Sequence, residues 1–559
     1  MAFVSMQRIF WALAGFCAFA AWHAGDLYLP WLKFQSEAWA GVALVFLALA
    51  QRGPSRHKLV APRKPDALSL CLLALPLLAG LHVLTSATVY VGDAALLTLY
   101  VLGALLALGL GHQWATGPDS NHLLKGLCLF LMVSALCSVA EALYQWLLLD
   151  GLGHWVLPIP SSARPSGNFA QANRMAMHTA TGLAALVWLY RQNTVRVVVM
   201  SLGGVFLCLG IALTQSRAGL LSVMAILLVA VLLQRRNPRA GALYIALIVV
   251  AFLLFWQLPV FSQALDLGAV RTNRLALGSR GTLLAGFAQS VFEKPWWGYG
   301  PGQIVYAQFF LIDQGLPAQV SFWAHHVLLD FALMFGVPVV LAVAAALALY
   351  VLDLLGNLQH ENNQFVLMAI IPFAIMLNTE FPHAYLNSLL LFAFIAGMIK
   401  PRYFSFKGWF NVHANAMNNV LISAFFILSG VIFYDYQRME NAFQVARFEA
   451  MHTGSIPKNY QYPSALVLDN LEALVAMARR KTFYPLTPAE LGEYQRSAMR
   501  FPYESALRGY AIATALNSAP RMQENALRAI DALYGRSARL VAERAIKRHQ
   551  AALVIDALR

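Results

Sequence analysis

Apolar runs of about 17–25 residues recur along most of this chain, each long enough to cross the hydrocarbon core of a bilayer as a helix. The run "VLLDFALMFGVPVVLAVAAALALYVL" (327–352) is one of them. In lipid, backbone N–H and C=O groups find partners only inside a helix or a closed barrel, so runs of this length predict a mostly helical membrane protein. Composition agrees: of 559 residues, 59% are hydrophobic and 12% charged, about half the charged fraction of a soluble domain. The first run, "IFWALAGFCAFAAW" (9–22), lacks a small-residue cleavage site and reads as a span rather than a cleaved signal.

About thirteen spans are expected, centred near residues 15, 42, 75, 102, 135, 183, 205, 226, 249, 338, 372, 391 and 427. The connecting loops alternate in charge. One set holds "QRGPSRHKLVAPRK" (51–64), Lys125, "RQNTVR" (191–196), "QRRNPR" (234–239) and "KPRYFSFK" (400–407). The positive-inside rule puts this set in the cytoplasm. The other side then carries segment 150–173, "TQSRAG" (214–219), a long loop over 259–325, "TEFPHA" (379–384) and the tail. The expected division is therefore 1–436, a transmembrane domain, and 437–559, an external helical domain. Within the tail, "YAIATALN" and "ALRAIDALYG" suggest a helix–turn–helix of tetratricopeptide type, too few units for an array.

The formal net charge of +14 does not indicate nucleic acid, because much of it sits in short loops between spans, where it sets orientation. The five cysteines, Cys17, Cys71, Cys128, Cys137 and Cys208, all fall in apolar runs and form no CxxC pair.

Chemistry-bearing residues gather on the external side. His325 and His326 end the long loop. Arg217 lies in "LTQSRAGLL", Arg280 in "LGSRGTLLAGF", and Asn168, Gln171 and Asn173 in "RPSGNFAQANRMA" (164–176). An arginine near the membrane face is costly unless it meets an anion or a partner. Its planar fork matches phosphate and stays charged at any relevant pH. Histidine, with an ordinary pKa of about 6.5, can take a proton from a hydroxyl. On a helix the two adjacent rings would point about 100° apart, so only one would face a given hydroxyl. Plainer readings stand beside these: an interfacial histidine, a headgroup-anchoring arginine, a helix-capping amide segment. "WWGYGPGQ" (296–303) reads as an aromatic belt with turn glycines. No HExxH or DxD-like cluster is present, which disfavours a metal site.

These segments together resemble the O-antigen ligase/polymerase superfamily, in particular its PglL-type protein O-oligosaccharyltransferases, the pilin glycosylation ligases. "RPSGNFAQANRMA" is similar to that branch's Gly…Gln-x-Asn segment and "TQSRAGLL" to its Ser-Arg-Ala/Gly turn. "GSRGTLLAGFAQSVFEKPWWGYGPGQ" is similar to the Arg-containing loop, "AHHVLLDFALMFGVP" to the His-Asn entry of the next span, and "TEFPHAYLNSLLLF" to the Glu-Phe-Pro segment. The resemblance covers roughly residues 160–545. His326 stands where the family has Asn, Met334 where it has an acid, and His383 where it has Leu.

The resemblance implies en bloc transfer of a preassembled glycan from undecaprenyl diphosphate to Ser or Thr of a periplasmic acceptor protein such as a pilin. The anomeric carbon is inverted, with no metal or cofactor. It implies His325 as general base and Arg217 and Arg280 as the donor diphosphate site. His326, Asn168, Gln171, Asn173 and Glu380 take supporting or substrate-binding roles. It also implies a multi-pass protein of the bacterial inner membrane, with site and tail facing the periplasm. Two alternatives remain: an O-antigen ligase acting on lipid A-core, and a multispan glycolipid transporter. A transporter predicts paired mid-span charges and internal symmetry. The spans are nearly charge-free, with Glu141 and Asp330 the main exceptions.

Overall fold

A computed structural model describes residues 2–558 apart from 26–27, 52–65, 87, 161–162, 269–279, 400–409, 455–459 and 481. The basic segments at 52–64 and 400–407 and part of the long external loop lie outside the described residues. All regular structure among the described residues is helical. Each of the thirteen expected span centres falls inside a helix. Among the described residues, eight helices are long and apolar enough to cross a membrane: Phe34–Gln51, Ala67–Thr85, Val91–Thr116, Ser120–Trp146, Val197–Thr214, Pro238–Ala264, Val337–Gly356 and the Asn419–Ala450 stretch. Three shorter apolar helices, Arg217–Leu233, Glu361–Leu377 and Leu386–Gly397, add to them. The protein is thus an all-helical, polytopic membrane protein.

The chain divides into two compact units. Unit 1 comprises 1–72, 100–276 and 345–426; unit 2 comprises 73–99, 277–344 and 427–559.

The hub of unit 1 is the helix Ala172–Arg191, buried without interruption from Arg174 to Leu189. Its polar residues Arg174, His178, Thr179 and Thr181 keep it out of the eight apolar candidates. They are tolerated because they face protein rather than lipid. Helices Ser120–Trp146, Val197–Thr214, Arg217–Leu233 and Glu361–Leu377 pack around it. Small residues set the spacing, as in other membrane bundles. A Cβ on Gly182 would lie 2.2 Å from the Cβ of Ala135. One on Gly397 would lie 2.1 Å from the carbonyl oxygen of Leu108. A polar chain ties three helices: the His23 ring bonds Glu141 at 2.6 Å and Ser134 at 2.9 Å, and Ser134 bonds His178 at 2.9 Å.

In unit 2 the tail helices Pro488–Arg500, Glu504–Leu516, Pro520–Tyr534 and Arg536–Leu558 share one core. Leu507, Ile512, Leu527, Ile530 and Ile546 form it, with Ile312 from helix Tyr306–Asp313. The first of these helices starts with a capping box, Thr487 with Glu490, which satisfies two orphan N–H groups reciprocally. Asp93 anchors the tail. Its carboxylate receives both Nε (2.8 Å) and Nη2 (2.7 Å) of Arg500, with Nδ2 of Asn470 at 3.0 Å. Asp435 caps the entry to the next helix by accepting the N–H groups of Leu466, Val467 and Leu468.

Candidate functional site

Three of the expected site residues meet in unit 1. Helix Ala172–Arg191 begins at Gln171, which stands extended at its N-cap. One turn of chain therefore carries Gln171 and Asn173 together. Asn173 donates Nδ2–H to Oε1 of Glu380 at 2.6 Å, and Gln171 donates to Oε2 at 3.4 Å. Glu380 is 5% exposed, and amide donors are what let a carboxylate persist there.

Tyr385 closes the group by donating its hydroxyl to Oε1 of Gln171 at 2.9 Å. Two basic side chains cover its ring, Lys33 Nζ at 3.1 Å and the Arg174 guanidinium at 3.8 Å from the centroid. Arg174 also donates to Asn387 at 3.1 Å and to the Phe169 carbonyl at 3.2 Å. Burial, and then the Arg174 charge, hold the Lys33 pKa well below the usual lysine value. Burial pushes the Tyr385 phenol up to about 12, so it stays a hydrogen-bond donor at neutral pH. Arg174 lies in the "RPSGNFAQANRMA" segment already singled out, but sequence reading missed Lys33 and Tyr385 as members of this group. Their signal was present in "LKFQSE" and "FPHAY", but nothing local joins the two.

The turn bearing Arg217 belongs to the same unit. Gln215 is left-handed at φ 47°, and Ser216 caps helix Arg217–Leu233 by accepting the Gly219 N–H at 3.1 Å. Arg164 bonds the Thr214 carbonyl at 3.2 Å. Arg217 is exposed at this helix start. A Cβ on Gly219 would fall 2.7 Å from the Cβ of Ala176, so this turn packs on the helix that presents Asn173. Asn168 is different. Its amide donates to the carbonyls of His23 (2.6 Å) and Trp155 (2.8 Å), and its Oδ1 accepts the Leu157 N–H at 2.8 Å. It braces the loop that leads to Gln171.

In unit 2 the histidines are not helical. His325 is left-handed at φ 61°, and His326 is the extended N-cap of helix Val327–Phe335. The helical separation of the two rings expected from sequence is therefore replaced by a turn followed by a cap. Asp330, in the first turn of that helix, accepts the Ala324 N–H at 2.6 Å, and Gln308 donates to the Ser321 carbonyl at 2.5 Å. These bonds hold the turn on both sides. Nδ1 of His326 is buried without a hydrogen-bond partner. The "WWGYGPGQ" segment runs along the end of this helix: Tyr299 N–H bonds the Leu333 carbonyl at 2.7 Å and Gly300 N–H that of Met334 at 3.0 Å. Trp296 is 78% exposed, as an interfacial ring would be. Arg280 opens helix Arg280–Val291; its side chain lies outside the described residues. Among the described residues no three His, Cys, Asp or Glu side chains converge as metal ligands would.

Residues 202–344 match the O-antigen ligase family model, a stretch that holds Arg217, Arg280 and both histidines. Two relatives are O-oligosaccharyltransferases of Acinetobacter baylyi. The general O-oligosaccharyltransferase is 26% identical over 403 residues, 68% of this chain and 68% of the relative. The ComP-specific O-oligosaccharyltransferase is 24% identical over 253 residues, 43% of this chain and 45% of the relative.

The chain thus carries an O-antigen ligase region over residues 202–344 and is similar to O-oligosaccharyltransferases. Both relatives are O-oligosaccharyltransferases by name, and the chain is a glycosyltransferase. The motif order read from the sequence agrees with this placement.

Proposed function

We propose that the chain moves a preassembled oligosaccharide en bloc from undecaprenyl diphosphate to Ser or Thr hydroxyls of periplasmic proteins such as a pilin. The observation that carries this reading is the meeting of Gln171, Asn173 and Glu380 beside the Arg217 turn in unit 1. A planar carboxylate–amide group suits a sugar, and an exposed arginine on a turn packed against the same helix suits the phosphate it is linked to. His325 takes the proton of the acceptor hydroxyl, and the oxygen attacks the anomeric carbon. The bond to the diphosphate breaks with inversion. Arg217 and Arg280 balance the charge that grows on the leaving diphosphate. His326 supports the turn that holds His325. Asn168 fixes the loop, and Gln171, Asn173 and Glu380 orient the donor. The diphosphate is its own leaving group, so the reaction calls for no metal or nucleotide.

The protein lies in the inner membrane with its basic loops in the cytoplasm. The site and a tetratricopeptide-like domain over 437–559 face the periplasm. The names of both relatives favour a protein acceptor. The family description favours the second reading, a ligase acting on lipid A-core.

Co-expression with a lipid-linked glycan pathway and candidate acceptors, followed by mass spectrometry of periplasmic proteins, tests the choice. Glycan found only on lipid A-core selects the second reading. With the bound diphosphate covering the exposed Arg217 guanidinium and excluding water from it, Arg217→Ala should weaken donor engagement by about 2–5 kcal/mol. Arg217→Lys should still lose activity, because the fork is gone. Full transfer by Arg217→Ala would remove it from the diphosphate site.

A further inference from the structure

A cleft of about 670 Å³ opens in unit 1 where the segment after helix Ala2–His23 meets the end of helix Ser120–Trp146 and the loop beyond it. Tyr28, Tyr144 and Asp150 line it together with the backbone at Gly25, Gly151 and Gly153. The loop turns through left-handed residues at Leu148 (φ 53°), Gly151 (φ 113°) and Gly153 (φ 48°). A Cβ at Gly151 or Gly153 would meet nothing within 4 Å, so bare backbone borders open space there. Tyr144 is held in place by accepting the Leu152 N–H at 2.9 Å. Tyr28 is 49% exposed, and Asp150 is exposed too.

The chemistry of these walls selects a ligand. Two aromatic rings offer flat apolar faces, while a carboxylate and uncovered peptide groups accept and donate hydrogen bonds. A sugar ring has the matching pair of properties: a face of C–H groups and a rim of hydroxyls. The cleft is too large for an ion; Leu148, Leu149, Leu157 and Ile159 add apolar wall to the rings, against which the C–H faces of sugars can lie, and its size is that of a small-molecule site.

Its position is equally specific. Gln145, in the cleft wall, donates to the carbonyls of Leu157 (2.8 Å) and Gly167 (2.9 Å) and accepts the N–H groups of Ser166 and Gly167, each at 2.9 Å. Asn168 takes the Leu157 N–H in the same frame. The cleft floor and the segment that delivers Gln171 and Asn173 are thus one hydrogen-bonded piece.

We propose that this cleft is a saccharide subsite. It takes the sugars remote from the bond being transferred, and so makes the enzyme sensitive to glycan length. The inference rests on the proposed transfer function.

The test uses the full-length protein in nanodiscs and two donors, undecaprenyl diphosphate carrying one N-acetylhexosamine and the same lipid carrying a heptasaccharide. Tyr28→Ala and Asp150→Asn should raise KM for the long donor about tenfold or more, as loss of remote binding does, and leave the single-sugar donor within about twofold. Tyr28→Phe keeps the ring and should match the parent. Equal losses on both donors, or no loss on either, overturn the proposal. A second measurement needs no transfer: saturation-transfer NMR with free chitopentaose as the probe. Signal on the parent that falls in Tyr28→Ala and returns in Tyr28→Phe supports the cleft even if no donor is turned over, in which case the transfer reading alone fails. Unchanged signal in Tyr28→Ala sinks the subsite.

Discussion

His325 holds a backbone conformation that costs a side-chain-bearing residue about 1–2 kcal/mol. The Asp330 and Gln308 bonds around its turn offset that cost, which is the pattern of strain kept at a working position. Two substitutions separate strain from chemistry. His325→Gly should relieve the left-handed backbone and raise thermal stability by about 0.5–1 kcal/mol relative to His325→Ala, since glycine enters φ > 0 freely. Both should lose transfer by about 100-fold or more if the ring is the base. His326→Asn, which restores the residue usual in the superfamily, should remain active. Acceptor mass shift in membranes lacking the native enzyme reads activity, and an active His325→Ala would discard the base assignment. The carboxylate–amide group gives a second prediction at this scale. Asn173→Ala and Glu380→Ala should each reduce transfer, and the double variant should be little worse than either. The coupling expected for a hydrogen bond to a charged group is about 1.5–3 kcal/mol. Additive losses would mean the two act apart.

Among the helices of unit 1, contact is set by glycines that sequence periodicity does not mark. Gly182 faces Ala135 with no room for a methyl group, whereas Gly241 would meet nothing within 4 Å. Overpacking of this kind typically costs 1–3 kcal/mol. Gly182→Ala should therefore lower the unfolding midpoint in detergent, while Gly241→Ala should leave it unchanged or slightly raised. A Gly182→Ala protein as stable as the parent would show that these two helices do not meet at this register.

At the scale of the molecule, unit 2 ties the C-terminal helices to the start of helix Val91–Thr116 through several polar contacts, among them the buried Asp93–Arg500 pair. Asp93 and Arg500 side chains are 3% and 12% exposed. Removing one partner of a buried pair leaves an uncompensated charge and costs about 3–5 kcal/mol. Arg500→Ala should accordingly free the tail helices to exchange their amide hydrogens faster than the parent does. Arg528, whose pairing with Asp313 at 3.5 Å is largely exposed, should tolerate alanine with a change below about 1 kcal/mol. Exchange rates that respond alike to both substitutions would contradict the anchoring role of Asp93.

The sequence alone determined the class of this protein. Apolar run length is a local property, and lipid leaves a spanning segment no choice but helix, so a helical polytopic protein could be named before any contact was known. Motif order carried the superfamily for the same reason, since it is written along one stretch of chain. The site was only half legible. Asn173 and Glu380 lie 207 positions apart, and no periodicity in either segment reports that they share a proton. Lys33 and Tyr385 are joined only by the packing of helices far apart in sequence, and the three bonds of the Asn168 side chain join segments that no local pattern connects. The left-handed turn at His325 sits between bonds that tie Ala324 to Asp330 and Ser321 to Gln308. Tertiary structure alone could settle these points, because hydrogen bonds and small-residue contacts depend on where helices cross rather than on what each helix is made of.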